Sequence, residues 1–218
     1  MSIAIPASRP PVADVRIFLP DGVDLASSKL GIAPCKVPAR NFEDVIVGRV
    51  DGRSPCPRNA VLGTGAATAV VRMNPFDPPA NGAGRLTLFN AVEDHGRPGI
   101  MIAVDTDRPM VSTFYYAGYL STAPAPYGLR LRLRVRRPTP SPLFDADIAL
   151  RRFAVTIGGP DISYSARRRG RTVYYRPGGL GLPVRCDRRR GFPFRIEVRY
   201  VDGRRGIGTV RTPCSPSV

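Results

Sequence analysis

Residues 129–137, with the sequence LRLRLRVRR, alternate apolar and basic side chains as strictly as any segment of the chain. Successive side chains of a β-strand point to opposite faces, so Leu129, Leu131 and Leu133 share one face. The other face carries Arg130, Arg132, Arg134 and Arg136. The stretch therefore predicts a strand with an apolar face for the core. Its arginine face either binds an acidic partner or is simply the solvated side of the sheet.

The 22 glycines and 24 prolines divide most of the chain into segments of strand length. Only residues 143–157 run for more than 11 positions without either, and alternation from Phe153 to Ile157 favours a strand there. The clearest hairpin is FPFRIEVRYVDGRRGIGTVRTPC at 192–214, with an Asp-Gly turn. These patterns predict an all-β fold, a two-sheet antiparallel sandwich that is immunoglobulin-like or jelly-roll-like. We expect about ten short strands and at most one short helix.

Residues 60–73 read AVLGTGAATAVVRM and combine strand-forming residues with Gly63 and Gly65. A glycine inside a strand is typical of a bulge or of a close approach by another backbone. We therefore expect a strand here in which the glycines have a packing role.

Positive charge is concentrated in the second half of the chain. The sequence has 33 Lys and Arg against 17 Asp and Glu, a net charge of +16, of which residues 126–218 contribute +15. A one-sided basic field of this kind attracts polyanions. We predict one domain over 1–218 with a basic edge; a boundary near 121–127, where the charge steps up, is the alternative.

The arginines occur in short runs, several of them beside aromatic residues. Guanidinium groups next to aromatic rings suit contacts with phosphate or sulfate combined with stacking. The alternative is that these runs are solvated loop tips, and that strand arginines keep a sheet edge from pairing with other chains. The residues that we expect to bind a polyanion are Arg130, Arg132, Arg134, Arg136, Arg167, Arg168, Arg169, Arg188, Arg189 and Arg190.

The four cysteines fall as two sequential pairs, one in each half of the chain. Cys35–Cys56 and Cys186–Cys214 are the simplest of the three pairings into two disulfides, and buried free thiols are the alternative. Such disulfides indicate an oxidising compartment. No cysteine pair has zinc-site spacing and the chain has one histidine, so we expect no metal site of that kind.

No motif for catalysis or cofactor binding occurs in the sequence, so we expect no cofactor and a non-enzymatic protein. The single histidine, His95, lies in a polar loop beside Glu93 and is interpreted as solvated. Two DxD pairs, at 105–107 and 145–147, have spacing that calcium sites use, but Asp-rich turns use it more often without a metal.

Three segments together resemble the secreted or surface-exposed immunoglobulin-like β proteins of high-GC Gram-positive bacteria. They are FLPDGVDL at 18–25, CPRNAVLGTGAA at 56–67 and FPFRIEVRYVDG at 192–203. The resemblance implies an exported β-sandwich and transfers no catalytic residue. The chain departs from that family because residues 1–15 contain no recognisable signal peptide.

We therefore predict an extracellular or cell-envelope β-sandwich that binds an anionic polymer: a cell-wall polymer, an acidic glycan or a nucleic acid. No stretch approaches 18 consecutive apolar residues, so no membrane span is expected. One alternative is a cytoplasmic nucleic-acid-binding protein with reduced cysteines. Another is a carbohydrate-active enzyme whose carboxylates are dispersed along the chain.

Overall fold

The fold is described from a computed structural model, which covers residues 2–6, 9–23, 33–37, 46–47, 56–72, 76, 78–109, 111–135, 147–159, 161–176, 181, 186 and 191–214. About seven in ten of these residues lie in strands. The strands are β1 (Ser2–Ala4), β2 (Val12–Pro20), β3 (Cys35–Val37), β4 (Ile46–Val47), β5 (Val61–Arg72), β6 (Ala80–Glu93), β7 (Pro98–Arg108), β8 (Ser112–Thr122), β9 (Tyr127–Arg134), β10 (Asp147–Ile157), β11 (Tyr164–Arg168), β12 (Arg171–Tyr175), β13 (Phe192–Tyr200) and β14 (Arg205–Thr212). A 3₁₀ turn at Arg58–Ala60 is the helical element within the described ranges.

Twelve of the strands form one sheet, while β11 and β12 pair as a separate two-stranded sheet. Strands β5 to β9 form a meander in which each strand pairs with the one before it. The order across the sheet is β1-β10-β5-β6-β7-β8-β9-β2-β13-β14, with β3 beside β6 and β4 beside β8. Only β3 and β6 pair in parallel within the described residues. The all-β antiparallel prediction with about ten short strands is confirmed, and residues 147–157 form a strand.

The two layers of the fold belong to one continuous sheet that curls onto itself. The backbone N–H of Ile5 donates to the carbonyl of Arg151 on β10 at 2.8 Å, and Arg151 Nη1 donates to the carbonyl of Arg9 at 3.3 Å. The Arg9 guanidinium in turn lies 5.7 Å from the ring centroid of Tyr200 on β13. Strands β10 and β13 are near opposite ends of the strand order, so Ile5 and Arg9 bridge the two ends of the curl.

The concave face of the curl holds the main hydrophobic core. It contains Val15, Ile17, Leu86, Ile102, Leu131, Leu133 and Val198, all less than a tenth exposed. These side chains come from both sides of residues 121–127, where β8 turns into β9. The step in charge along the chain therefore falls between two adjacent strands of the sheet.

A second apolar cluster lies on the opposite face of β6, β7 and β8. Phe89, Met101, Ala103 and Tyr115 are buried there with Cys35 of β3, which forms a disulfide with Cys56 (S–S 2.02 Å). Strands β6 and β7 are therefore buried on both faces, which explains their nearly continuous apolar runs, LTLF and IMIAV. The second predicted pair, Cys186–Cys214, is also a disulfide, so both predicted pairings are confirmed.

Gly63 and Gly65 allow β10 to approach β5 closely. A Cβ built on Gly63 would lie 2.2 Å from the carbonyl oxygen of Thr156, and one on Gly65 would lie 2.1 Å from that of Ala154. The pairing of β5 with β6 also shifts register between Val61 and Gly63. Both consequences expected of these glycines, a bulge and close backbone packing, are confirmed.

Candidate anion-binding surfaces

The first basic surface lies on the face of β9, β2 and β13 that points away from the core; we call it the sheet arginine face. Leu131 and Leu133 of β9 are buried in the core, whereas the intervening arginines are half-buried, as the alternation predicts. Strand β2 pairs with β9 on one side and with β13 on the other. The arginines on this face are Arg16, Arg130, Arg132, Arg134, Arg195 and Arg199.

Two carboxylates compensate part of this charge. Asp14 of β2 is buried, and its Oδ1 and Oδ2 accept hydrogen bonds from the Nε groups of Arg16 (3.1 Å) and Arg132 (2.9 Å). Glu197 of β13 lies 2.5 Å from Arg195 Nη2 and 3.7 Å from Arg16 Nη1. Because a buried carboxylate must be paired to offset its desolvation, Arg16 and Arg132 have a structural role. Arg132 therefore compensates the charge of Asp14 whether or not a ligand binds to this face.

Two other arginines of this face pack against neutral groups. Arg130 donates from Nε and Nη2 to the Ser121 hydroxyl at 3.2 and 3.1 Å. The Arg195 guanidinium lies 5.7 Å from the ring centroid of Phe18, and that ring packs against Tyr127 at a centroid distance of 5.4 Å. Neither contact neutralises the positive charge. Among the described residues, six arginines on this face lie with two carboxylates, so this part of the face has more positive than negative groups.

The second basic surface is the hairpin of β11 and β12, which we call the arginine hairpin. Its turn contains Arg169 and Gly170, both with positive φ (47° and 79°), so the chain reverses between Arg168 and Arg171. The side chains of Arg167, Arg168, Arg169 and Arg171 are all exposed. Residues 164–176 contain five arginines and no acidic residue. No ion pair to this segment occurs in the described part of the chain.

The arginine hairpin is anchored to the rest of the protein at its base. The Asn59 side chain donates from Nδ2 to the Ser165 carbonyl at 2.8 Å and accepts at Oδ1 from the Ser165 N–H at 3.2 Å. The buried Tyr164 donates its hydroxyl to the carbonyl of Val61. Asn59 lies in the 3₁₀ turn that follows Cys56, so the hairpin is joined to the segment held by the first disulfide. The base is fixed while the arginines at the turn reach into solvent.

The predicted binding residues thus separate into three groups. Arg130, Arg132 and Arg134 lie on the sheet arginine face, and Arg167, Arg168 and Arg169 on the arginine hairpin. Arg136, Arg188, Arg189 and Arg190 lie outside the described residues. Sequence reasoning missed the contributions of Asp14, Arg16, Arg195 and Arg199 to the same face. The signal was the alternation in VADVRIFLP and FPFRIEVRY, but nothing local in it indicates that these strands flank β9.

The remaining candidates do not assemble into a reactive site. His95 is exposed in the turn between β6 and β7, whereas the buried Glu93 accepts a hydrogen bond from the Tyr119 hydroxyl at 2.9 Å. The second oxygen of Glu93 lies 2.8 Å from Arg97 Nε, and the Arg97 guanidinium lies 5.0 Å from the ring centroid of Tyr119. Asp105 accepts a hydrogen bond from the Thr113 hydroxyl. In the described ranges no three His, Cys, Asp or Glu residues cluster as metal ligands, and Asp145 falls outside those ranges.

Comparisons with protein-family models, with curated proteins and with solved structures find no match for this chain. No residue of this chain can therefore be assigned a role by comparison with a relative. No helix in the described residues has the length and apolarity needed to cross a bilayer. The two basic surfaces are the features from which a function has to be inferred.

Proposed function

We propose that this protein is an exported, non-enzymatic binding or structural module whose basic surfaces bind an anionic polymer. A cell-wall polymer, an acidic glycan and a nucleic acid all present the phosphate, sulfate or carboxylate groups that guanidinium forks bind. The observation that carries the proposal is the arginine hairpin. Its exposed arginines are close together, and residues 164–176 contain no carboxylate.

The charge on the arginine hairpin favours a partner on energetic grounds. Arg167, Arg168 and Arg169 are consecutive, and Arg171 pairs with Arg168 across the turn. Because strand residues rise only about 3.3 Å each, these charges lie mostly inside the ~8 Å screening length at physiological salt and repel one another. An anionic polymer would relieve this repulsion and release its own condensed counterions. On the sheet arginine face, Asp14 and Glu197 already provide part of that relief. The hairpin is therefore the primary contact in this proposal, and the sheet arginine face is secondary.

The two disulfides support export. Cys35–Cys56 and Cys186–Cys214 use all four cysteines of the chain, and structural disulfides are typical of oxidising compartments. In a cytoplasmic nucleic-acid-binding protein the same cysteines would be reduced. Intact mass of protein purified from its native host under alkylating conditions tests this point, because four reduced cysteines would each carry one alkyl group, whereas two disulfides would carry none.

Binding measured over a salt series tests the function directly. Heparin, duplex DNA and teichoic acid are titrated into the wild type and two variants with equal loss of charge. The hairpin variant replaces Arg167, Arg168, Arg169 and Arg171 with Gln. The control variant replaces Arg130, Arg134, Arg199 and Arg205 with Gln and leaves the Arg132–Asp14 pair intact. Arg205 of β14 pairs with Arg199 and extends the sheet arginine face by one strand.

We expect the logarithm of affinity to fall steeply with the logarithm of salt concentration for the wild type. In the hairpin variant the slope should be shallower by about 2 to 3, because each lost phosphate contact on duplex DNA removes about 0.9. The control variant should change the slope less. Equal binding by all three proteins would mean that the arginines are only solvated surface. A larger effect in the control variant would move the primary site to the sheet arginine face.

A further inference from the structure

The arginine hairpin has two chemically different faces. Tyr164 belongs to the face that packs on the protein and is buried. On the opposite face the register sets Ser165 beside Tyr174 and Arg167 beside Thr172. All four of these side chains are exposed, and Tyr174 is 71% exposed. We call Ser165, Arg167, Thr172 and Tyr174 the outer hairpin face.

Arg167 and Tyr174 are diagonal neighbours on the outer hairpin face. Diagonal partners in an antiparallel pair lie about 7–8 Å apart, within reach of aromatic and long side chains. A guanidinium fork and an aromatic ring can therefore contact one monomer unit of a polymer at the same time. Ser165 and Thr172 add two hydroxyl groups, each able to donate and to accept a hydrogen bond.

We propose that the outer hairpin face binds a sugar unit of an acidic polysaccharide. Tyr174 stacks on the apolar C–H face of the sugar ring, and Arg167 binds its carboxylate or sulfate group. The hydroxyls of Ser165 and Thr172 bond to sugar hydroxyls. This inference rests on the proposed function, because it assumes that the arginine hairpin contacts an anionic polymer.

The composition of this face favours a glycan over other polyanions. Three of its four side chains carry hydroxyl groups, which match a polyhydroxylated ligand better than a phosphodiester backbone with few hydroxyls. An exposed aromatic ring contributes nothing to a polyphosphate, which has neither a ring nor an apolar surface. The disulfides also favour a compartment in which polysaccharides are abundant. Tyr174 is therefore the residue whose effect separates ligand classes.

Calorimetric titration with four probes at fixed salt tests the inference. The probes are hyaluronan oligosaccharides (carboxylate only), chondroitin sulfate oligosaccharides (carboxylate and sulfate), linear polyphosphate and single-stranded oligo-dT. The variants are Arg167→Gln, Tyr174→Ala and Tyr174→Phe. Phe76→Ala is the matched control, because Phe76 is another exposed aromatic residue, 96% exposed.

We expect Tyr174→Ala to weaken binding of a glycan roughly three- to tenfold, as for loss of an aromatic stacking contact. Tyr174→Phe keeps the ring and should retain most of the glycan affinity. Polyphosphate affinity should stay within about twofold of wild type in both variants, whereas Arg167→Gln should weaken all anionic probes. Phe76→Ala should behave as wild type. A dependence on Tyr174 for chondroitin sulfate but not for hyaluronan would support the inference and assign the acid group as sulfate.

Three results would overturn the inference, and they are distinguishable from each other. Unchanged glycan affinity in Tyr174→Ala, with polyphosphate binding that depends on Arg167, removes the sugar site and leaves the proposed function standing. Tighter binding of oligo-dT than of either glycan, with the same dependence on Tyr174, assigns the face to single-stranded nucleic acid. Failure of every probe to bind refutes the proposed function as well.

Discussion

Replacing Arg132 with Gln removes one of the two guanidinium groups that pair with the buried Asp14. Asp14 is 2% exposed and accepts from Arg132 Nε at 2.9 Å, while the Arg132 side chain is 37% exposed. A hydrogen bond to a charged group contributes about 1.5–3 kcal/mol, and breaking a fully buried ion pair costs about 3–5 kcal/mol. Arg16 remains as a partner and Arg132 is partly solvated, so we expect a loss of about 2 kcal/mol.

Urea denaturation of the non-reduced protein measures this loss, with thermal unfolding as a second readout. For a chain of this size, a loss of about 2 kcal/mol corresponds to a decrease in Tm of roughly 4–8 °C. Arg130→Gln is the matched control: the strand, the face and the substitution are the same, but the partner is the neutral Ser121 hydroxyl. We expect that variant to lose less than about 1 kcal/mol.

A double-mutant cycle with Asp14→Asn isolates the pair itself. The coupling energy between Asp14 and Arg132 should be about 1–2 kcal/mol, within the range for residues in direct contact. Equal losses in Arg132→Gln and Arg130→Gln, or a coupling energy near zero, would refute the structural role of Arg132. In that case Arg132 would not be required by Asp14, and it could contact a ligand as readily as Arg130.

Three further predictions follow from the strand packing, the tyrosine environment and the first disulfide. Gly65→Ala should destabilise the fold by more than about 1 kcal/mol, because its Cβ would meet a backbone carbonyl of β10. Gly208→Ala on β14 is the control: a Cβ there meets nothing within 4 Å, so this variant should be neutral or slightly stabilising in the same urea assay. Burial raises the pKa of Tyr116 to about 12, so the folded state favours the protonated phenol. Stability should therefore be complete below pH 10 and decline above it, by about 1.4 kcal/mol at pH 11, and Tyr116→Phe should remove that part of the decline. Replacing Cys35 and Cys56 together with Ala opens a loop of 21 residues and should cost about 3 kcal/mol. An unchanged urea midpoint would show that the disulfide does not constrain the unfolded chain.

Local pattern was enough to predict the fold class and the disulfides. Strand β9 follows from its two-residue alternation, and the hairpin of β13 and β14 follows from its Asp-Gly turn. Glycine at positions 63 and 65 indicated close packing without identifying the neighbouring strand. These features can be predicted from the sequence because side-chain alternation and turn geometry depend on residues that are adjacent in the chain. The cysteine pairing could be predicted because each pair is close in sequence.

The sequence by itself determined the class of fold and the excess of arginine after residue 126, and it favoured the pairing of the cysteines. Only the tertiary structure decided which arginines are paired with a carboxylate. The curled sheet inserts β2 between β9 and β13, which brings Asp14 against Arg132 across 118 positions of sequence. It also leaves β11 and β12 as a separate two-stranded sheet, with no acidic strand beside them in the described ranges. The physical reason is that strand order in a sheet depends on which apolar faces bury each other across the whole chain, and no local pattern encodes that choice.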